Sequence, residues 1–200
     1  MSALPKNLTG GATIVGPWRY DLWRDWRSPG TPQSLLIDFV LWIMLNPSTA
    51  AAYDEAGRLI NDPTLRKCIG FTHRWGFKRL VLVNLFALRS KDPKALKRPP
   101  EGDLLTLPGT WKEGLTFGDW REGPDNNMHV DAYVGAASKI IVGWGGFDPK
   151  MLAPRVARMR RVLSSTDVTR VECLGTNDDG SPKHPLFVPY QTDLQPWGAA

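Results

Sequence analysis

The chain has 200 residues, 42% hydrophobic and 22% charged, enough apolar material for one sizeable core, and two distant cysteines, Cys68 and Cys173, that argue against a zinc site or disulfide framework. No stretch reaches the roughly 18 apolar residues of a membrane span and the first residues lack the order of a signal peptide, so a cytoplasmic protein without membrane contact is expected. A net charge of +5 and a pI near 9.4 permit contact with phosphate without demanding it.

Residues 1–12 read as a flexible N-terminus, and 13–197 as a single α/β domain. Residues 14–27, IVGPWRYDLWRDWR, alternate bulky and polar side chains in parts and read as an extended strand or hairpin arm. A turn follows over 28–34. Residues 35–45, LLIDFVLWIML, are the strongest apolar run and end at Asn46-Pro47-Ser48-Thr49, the pattern of a strand buried on both faces. Residues 63–75 read as a helix, with Pro63 in its first turn, Asp62 or Asn61 as cap and Gly76 as its stop. Residues 79–85, RLVLVNL, read as a second buried strand. Residues 90–125, rich in proline, glycine and charge, form a loop-rich insertion. A helix over 126–138, a strand over 139–144, a basic helix over 149–164 and a strand over 168–174 complete the pattern. Alternating strands and helices predict parallel βαβ units, right-handed crossovers and a three-layer α/β/α sandwich with a mostly parallel central sheet. Ligands of such sheets bind beyond the carboxyl ends of the strands.

The polar signals sit at those ends. Asn46, Ser48 and Thr49, with Pro47 stiffening the turn, can floor a pocket or form an ordinary Asx or Ser/Thr turn. Asn84, in an apolar strand, is costly to bury unpaired and offers both a donor and an acceptor to a base edge. Asp62 can act as a helix cap or as a general base. His184, on a loop stiffened by Pro182 and Pro185, can donate to a developing anion or lie on the surface. His73 and His129 read as structural. Gly143, Gly145 and Gly146 around Trp144 allow close backbone approach. No metal-ligand set stands out. Basic clusters, among them Lys91, Lys94, Lys97 and Arg98, are either solvated helix faces or a phosphate-facing surface.

Taken in order, LWIMLNPST, RLVLVNLFA, KIIVGWG and SPKHPL resemble the strand-end motifs of the uracil-DNA glycosylase superfamily. The chain also resembles a bacterial and phage family of uncharacterised proteins, through Leu45 to Ala50, Asp62 to Thr64, Cys68 to Phe71, Arg74 to Gly76, Val83 to Arg89, Trp144-Gly145 and Cys173 to Leu186. The superfamily resemblance implies a glycosylase-like sandwich and cleavage of an N-glycosidic bond without metal or organic cofactor. It gives Asn46 the place of the residue that positions water, Asn84 that of the base reader and His184 that of the group stabilising the leaving base. Leu186 and Phe187 fall where a wedge would enter a duplex, and Tyr53 and Phe71 are candidates to stack on the base. Leu45 stands where that superfamily has glycine, and HPL where it has HPS. The expected function is a nucleobase- or nucleotide-directed hydrolase, with Asn46, Asp62 and His184 catalytic and Pro47, Ser48, Thr49, Asn84, Trp144, Gly145 and Leu186 binding substrate. Its expected partners are DNA or nucleotides, and its expected state is a monomer. The rival is a non-catalytic nucleic-acid or nucleotide-binding module on the same fold. A third reading has Ser48, Asp62 and His184 act together on another small molecule.

Overall fold

The computed structural model describes residues 4–30, 38–48, 52–97, 120–165 and 171–198. Strand structure starts earlier than expected: β1 (Thr9–Val15) begins inside the segment read as flexible and pairs antiparallel with β2 (Trp18–Asp25). Gly10 and Gly11 hide it, because glycine weakens strand propensity. Both glycines are needed here, since a Cβ at either would collide with the Arg24 or Trp23 side chain.

The apolar run becomes β3 (Val40–Met44), buried at every position. It is flanked in parallel register by β4 (Arg79–Asn84) and β5 (Lys139–Val142), and β6 (Val171–Cys173) runs parallel to β5. A short β7 (Gln195–Pro196) pairs antiparallel with β6. The seven strands form one sheet in the order β1-β2-β4-β3-β5-β6-β7. The expectation of a mostly parallel sheet needs correction. The sheet is mixed, with β1–β2, β2–β4 and β6–β7 antiparallel. The two-residue turn Gly16-Pro17 joins β1 to β2, and parallel strands cannot be joined so briefly.

α1 (Pro63–Arg74) starts with Pro63 at its first position and Asp62 as cap, the Asp62 Oδ1 accepting from Leu65 N at 2.8 Å. It packs on the sheet face carrying Val40, Trp42, Met44, Leu80 and Leu82. The buried Trp42 indole N–H is satisfied by Thr72 Oγ1 of α1 at 3.0 Å. α2 (Asn126–Ala136) and α3 (Pro149–Leu163) cover the other face, with Leu41, Ile43, Val81 and Val83. Each leucine-sized side chain so buried contributes about 2 kcal/mol. The two-sided burial of β3 and β4 is therefore the main reason the runs become strands. Among the described residues the protein is thus an α/β fold with one mixed seven-stranded sheet and three α-helices.

The chain passes from β3 through α1 to β4 on one side, then through α2 to β5 on the other side of β3. Winding reverses at β3, which opens a crevice between the exits of neighbouring strands. Of the loop-rich insertion, residues 98–119 lie outside the described residues; Pro93–Lys97 forms a short 3-10 helix. Among the described residues no helix is long and apolar enough to cross a membrane.

Candidate functional site

A cleft of about 680 Å³ opens at the carboxyl ends of β3 and β4. Asn46, Ser48, Asp62, Asn84, Trp144, Gly145, His184 and Leu186 all line it. Eight of the ten residues singled out in the sequence therefore meet in one place. Pro47 is buried beside the cleft rather than lining it, and Thr49 lies outside the described residues.

The turn after β3 is stitched to the loop after β4. Ser90 N donates to Pro47 O at 2.8 Å, and Asn46 Nδ2 donates to Ser90 O at 3.0 Å and to Pro47 O at 3.2 Å. With its amide nitrogen engaged, Asn46 offers the cleft an acceptor, Oδ1. Ser48 Oγ donates to Asp62 Oδ2 at 3.0 Å, while Oδ1 of the same carboxylate caps α1. Both readings of Asp62 thus bear on one group: the cap is real, and its second oxygen holds a serine.

Asn84 closes β4 and is 1% exposed. Its Nδ2 is buried and has no hydrogen-bond partner among the described residues. The backbone beneath it is firmly held. Asn126 Nδ2 donates to Asn84 O at 3.0 Å, and Arg155 Nε donates to Leu85 O at 2.8 Å. Arg155 is anchored in turn by Glu122 at 2.6 Å. Asn84 therefore ends a firmly held strand beside the cleft with a buried amide nitrogen that no described residue satisfies.

The loop after β6 brings in His184. Asn177 N bonds to Ser181 O at 2.8 Å and Lys183 N to Gly175 O at 2.9 Å, so the loop folds back on itself. Gly145, at φ +75, donates its N–H to Pro182 O at 3.0 Å. A Cβ at Gly145 would stand 3.2 Å from the His184 Cβ, so the glycine is what lets β5's exit and this loop meet. His184 Nδ1 accepts from Leu186 N at 3.3 Å, which places the neutral ring's proton on Nε2. Burial holds the His184 pKa below its usual 6.5, against the opposing pull of Asp62. The imidazole is therefore a neutral donor at neutral pH.

The unfolded chain binds its His184 proton more tightly than the folded one, so stability falls as pH drops from 6.5 through the folded pKa and is unaffected above. Urea unfolding between about pH 8 and about pH 5 will show that acid slope, shallower in His184→Gln than in the wild type. Equal slopes would mean that His184 is not buried in its neutral form.

Two expected aromatic contributors fall elsewhere. Phe71 is buried among Trp42, Trp75 and Tyr190, and Tyr53 turns its hydroxyl to Gly10 O at 2.7 Å. The aromatics lining the cleft are Trp144, Phe147 and Phe187, the last 80% exposed at the mouth. Residues missed in the sequence include Arg19, Lys91, Asn177 and Lys183. Lys91 was visible as one member of a basic cluster, but nothing in the pattern distinguishes a cleft lysine from a solvated one. Among the described residues no group of three His, Cys, Asp or Glu side chains is placed to hold a metal ion.

Fold and site together define an α/β protein with an open cleft, lined by apolar side chains and a set of convergent polar groups, at the carboxyl ends of its parallel strands. Residues 19–186 match the family described as protein of unknown function (DUF1643), and the chain belongs to that family. No curated protein and no solved structure matches it.

Proposed function

We propose that the cleft binds a nucleobase and that the protein is a hydrolase of glycosylase type, acting on an N-glycosidic bond in nucleic acid or a nucleotide. The observation that carries this reading is the Asn84 amide, buried in the cleft with Nδ2 unpartnered, because a base edge supplies the acceptor it lacks. Asn46 Oδ1 accepts from a water and orients it. The water oxygen bonds to the anomeric carbon, and the C–N bonding pair leaves with the base as an anion. The neutral His184 Nε2–H donates to that anion. The attacking water gives up a proton to solvent, and the departed base takes one back. Leu186 and the exposed Phe187 supply apolar surface at the mouth for holding an extruded base. The motif order shared with the uracil-DNA glycosylase superfamily supports the same reading as an analogy of fold.

One observation favours binding without turnover. Both oxygens of Asp62 are engaged, by Ser48 Oγ and Leu65 N, so the carboxylate in the cleft is poorly placed to take a proton from water. Base release separates the two readings. Incubated with single- and double-stranded DNA carrying uracil, mismatched or modified bases, and with free nucleotides, the wild type is expected to liberate free base. His184→Ala and Asn84→Ala should each slow release about 100-fold, the loss typical of one well-aimed donor. Ligand binding with no base released would establish the non-catalytic module instead.

A further inference from the structure

The regular alternation of β2 breaks at one point. Thr13 pairs with Asp21 and Ile14 with Arg19, which leaves Tyr20 as the extra residue of a bulge. A bulge re-aims the side chains beyond it. Asp21 points to the α2 face, where its Oδ2 meets His129 Nδ1 at 3.1 Å. In an unbroken strand Arg19, two residues earlier, would share that face. Instead Arg19 lines the cleft with Leu22, Asp62 and Asn84.

There it is 4% exposed. Burial draws its guanidinium pKa down to about 10, with Asp62 as the leading offset and with Arg89 and Arg24 close enough to add to the fall. Asp62 is shared, since its carboxylate also holds Ser48 and the start of α1. Lys91, exposed after β4, lines the same cleft and adds a second positive charge. A guanidinium carries five N–H donors in a planar fork, so Arg19 can keep its contacts within the protein and still present N–H to an oxyanion of phosphate type. The cleft volume falls in the usual range for small-molecule sites, about 300–1,000 Å³, so base and phosphate can be held together.

We infer that Arg19 and Lys91 form an anion subsite of this cleft, which binds a phosphate group of the ligand. What the phosphate carries rests on the nucleobase reading above; the subsite itself does not. A free nucleotide and a nucleic-acid backbone present the same chemistry there.

Calorimetric titration of the full chain with inorganic phosphate tests the subsite directly. The wild type is expected to bind phosphate in the millimolar range, at about 4 kcal/mol. Arg19→Met should weaken that affinity about tenfold or more, and Lys91→Ala severalfold. If Arg19→Met does not fold, Arg19→Lys serves, because it keeps the charge but loses the fork. Lys91→Ala alters an exposed side chain and serves in either case. Competition then separates the sources. Displacement of phosphate by deoxynucleoside monophosphates but not by deoxynucleosides identifies a nucleotide. Stronger displacement by single-stranded DNA, with a salt slope reduced by about one in Lys91→Ala, identifies a polymer. Wild type and variants of equal phosphate affinity, or a wild type that does not bind phosphate, would overturn the proposal. Base release is a separate readout: release without phosphate binding removes only the subsite, and phosphate binding without release removes only the hydrolase.

Discussion

Arg24→Met will lower the free energy of unfolding by about 3 kcal/mol, a fall of roughly 6–12 °C in melting temperature for a chain of this size. Arg24 is fully buried on β2. Its Nε donates to Asn61 Oδ1 at 2.8 Å, Nη1 to Trp23 O at 2.8 Å, and Nη2 to Ile60 O at 2.7 Å and Ala52 O at 3.4 Å. One side chain therefore fastens the segment leading into Asp62 to the sheet. Removing it leaves four part-buried acceptors without their donor, and the penalty of about 1–3 kcal/mol for a fully buried group is the upper bound for each. Part of that loss is offset. Burial draws the Arg24 pKa down to about 10, so the folded state is also relieved of a cation that it solvates poorly. The net stays unfavourable because several acceptors lose one donor set. Arg24→Lys should fall nearly as far, since an ammonium cannot span acceptors that a guanidinium fork reaches together. Urea denaturation reads the change directly, and a loss below about 1 kcal/mol would show that the segment is held by other contacts.

Asn84→Leu should move stability and function in opposite directions. Leucine is close to asparagine in shape and removes a buried amide nitrogen that no described residue satisfies. Relief of that unpaired group is worth about 1 kcal/mol, or roughly 2–4 °C in melting temperature. The same change deletes the donor on which the proposed base recognition depends, so base release, or base binding if the protein does not turn over, should drop about 100-fold. A site residue that destabilises its own fold is a common mark of function. If the Leu variant melts below the wild type, the amide is a structural group and the cleft must recognise its ligand by other means.

The same physics explains what could be read in the sequence. A strand buried on both faces needs an unbroken apolar run, and LLIDFVLWIML and RLVLVNL supply it. Asp62-Pro63 combines a preferred cap residue with a preferred first helical residue, and the structure starts α1 there. Because such strands run parallel with their exits aligned, polar residues after each one converge, and Asn46, Asn84, Gly145 and His184 do so. Other features depend on contacts between distant segments. Asp62 could be assigned to cap or base, and only the hydroxyl of Ser48, from another turn, shows that both oxygens are engaged. Arg19 reads as one more polar residue on an alternating strand, because a single extra residue in β2 leaves no trace in composition. Phe71 and Tyr53 were visible as aromatics but not in direction. Phe71 sits on the packed face of α1 and Tyr53 is tied to β1.

The two outermost strands bear on how the protein behaves in a crowded solution. An open sheet edge is a template on which another chain can add a strand. Here one margin is β1, which carries Gly10 and Gly11 and is bent by the bulge opposite Thr13 and Ile14. The other is β7, only two residues long, one of them Pro196, which has no N–H to donate. Neither margin offers a long flat row of free backbone groups. The apolar strands at the centre, the segments most prone to self-association, are thereby kept from propagating from one molecule to the next.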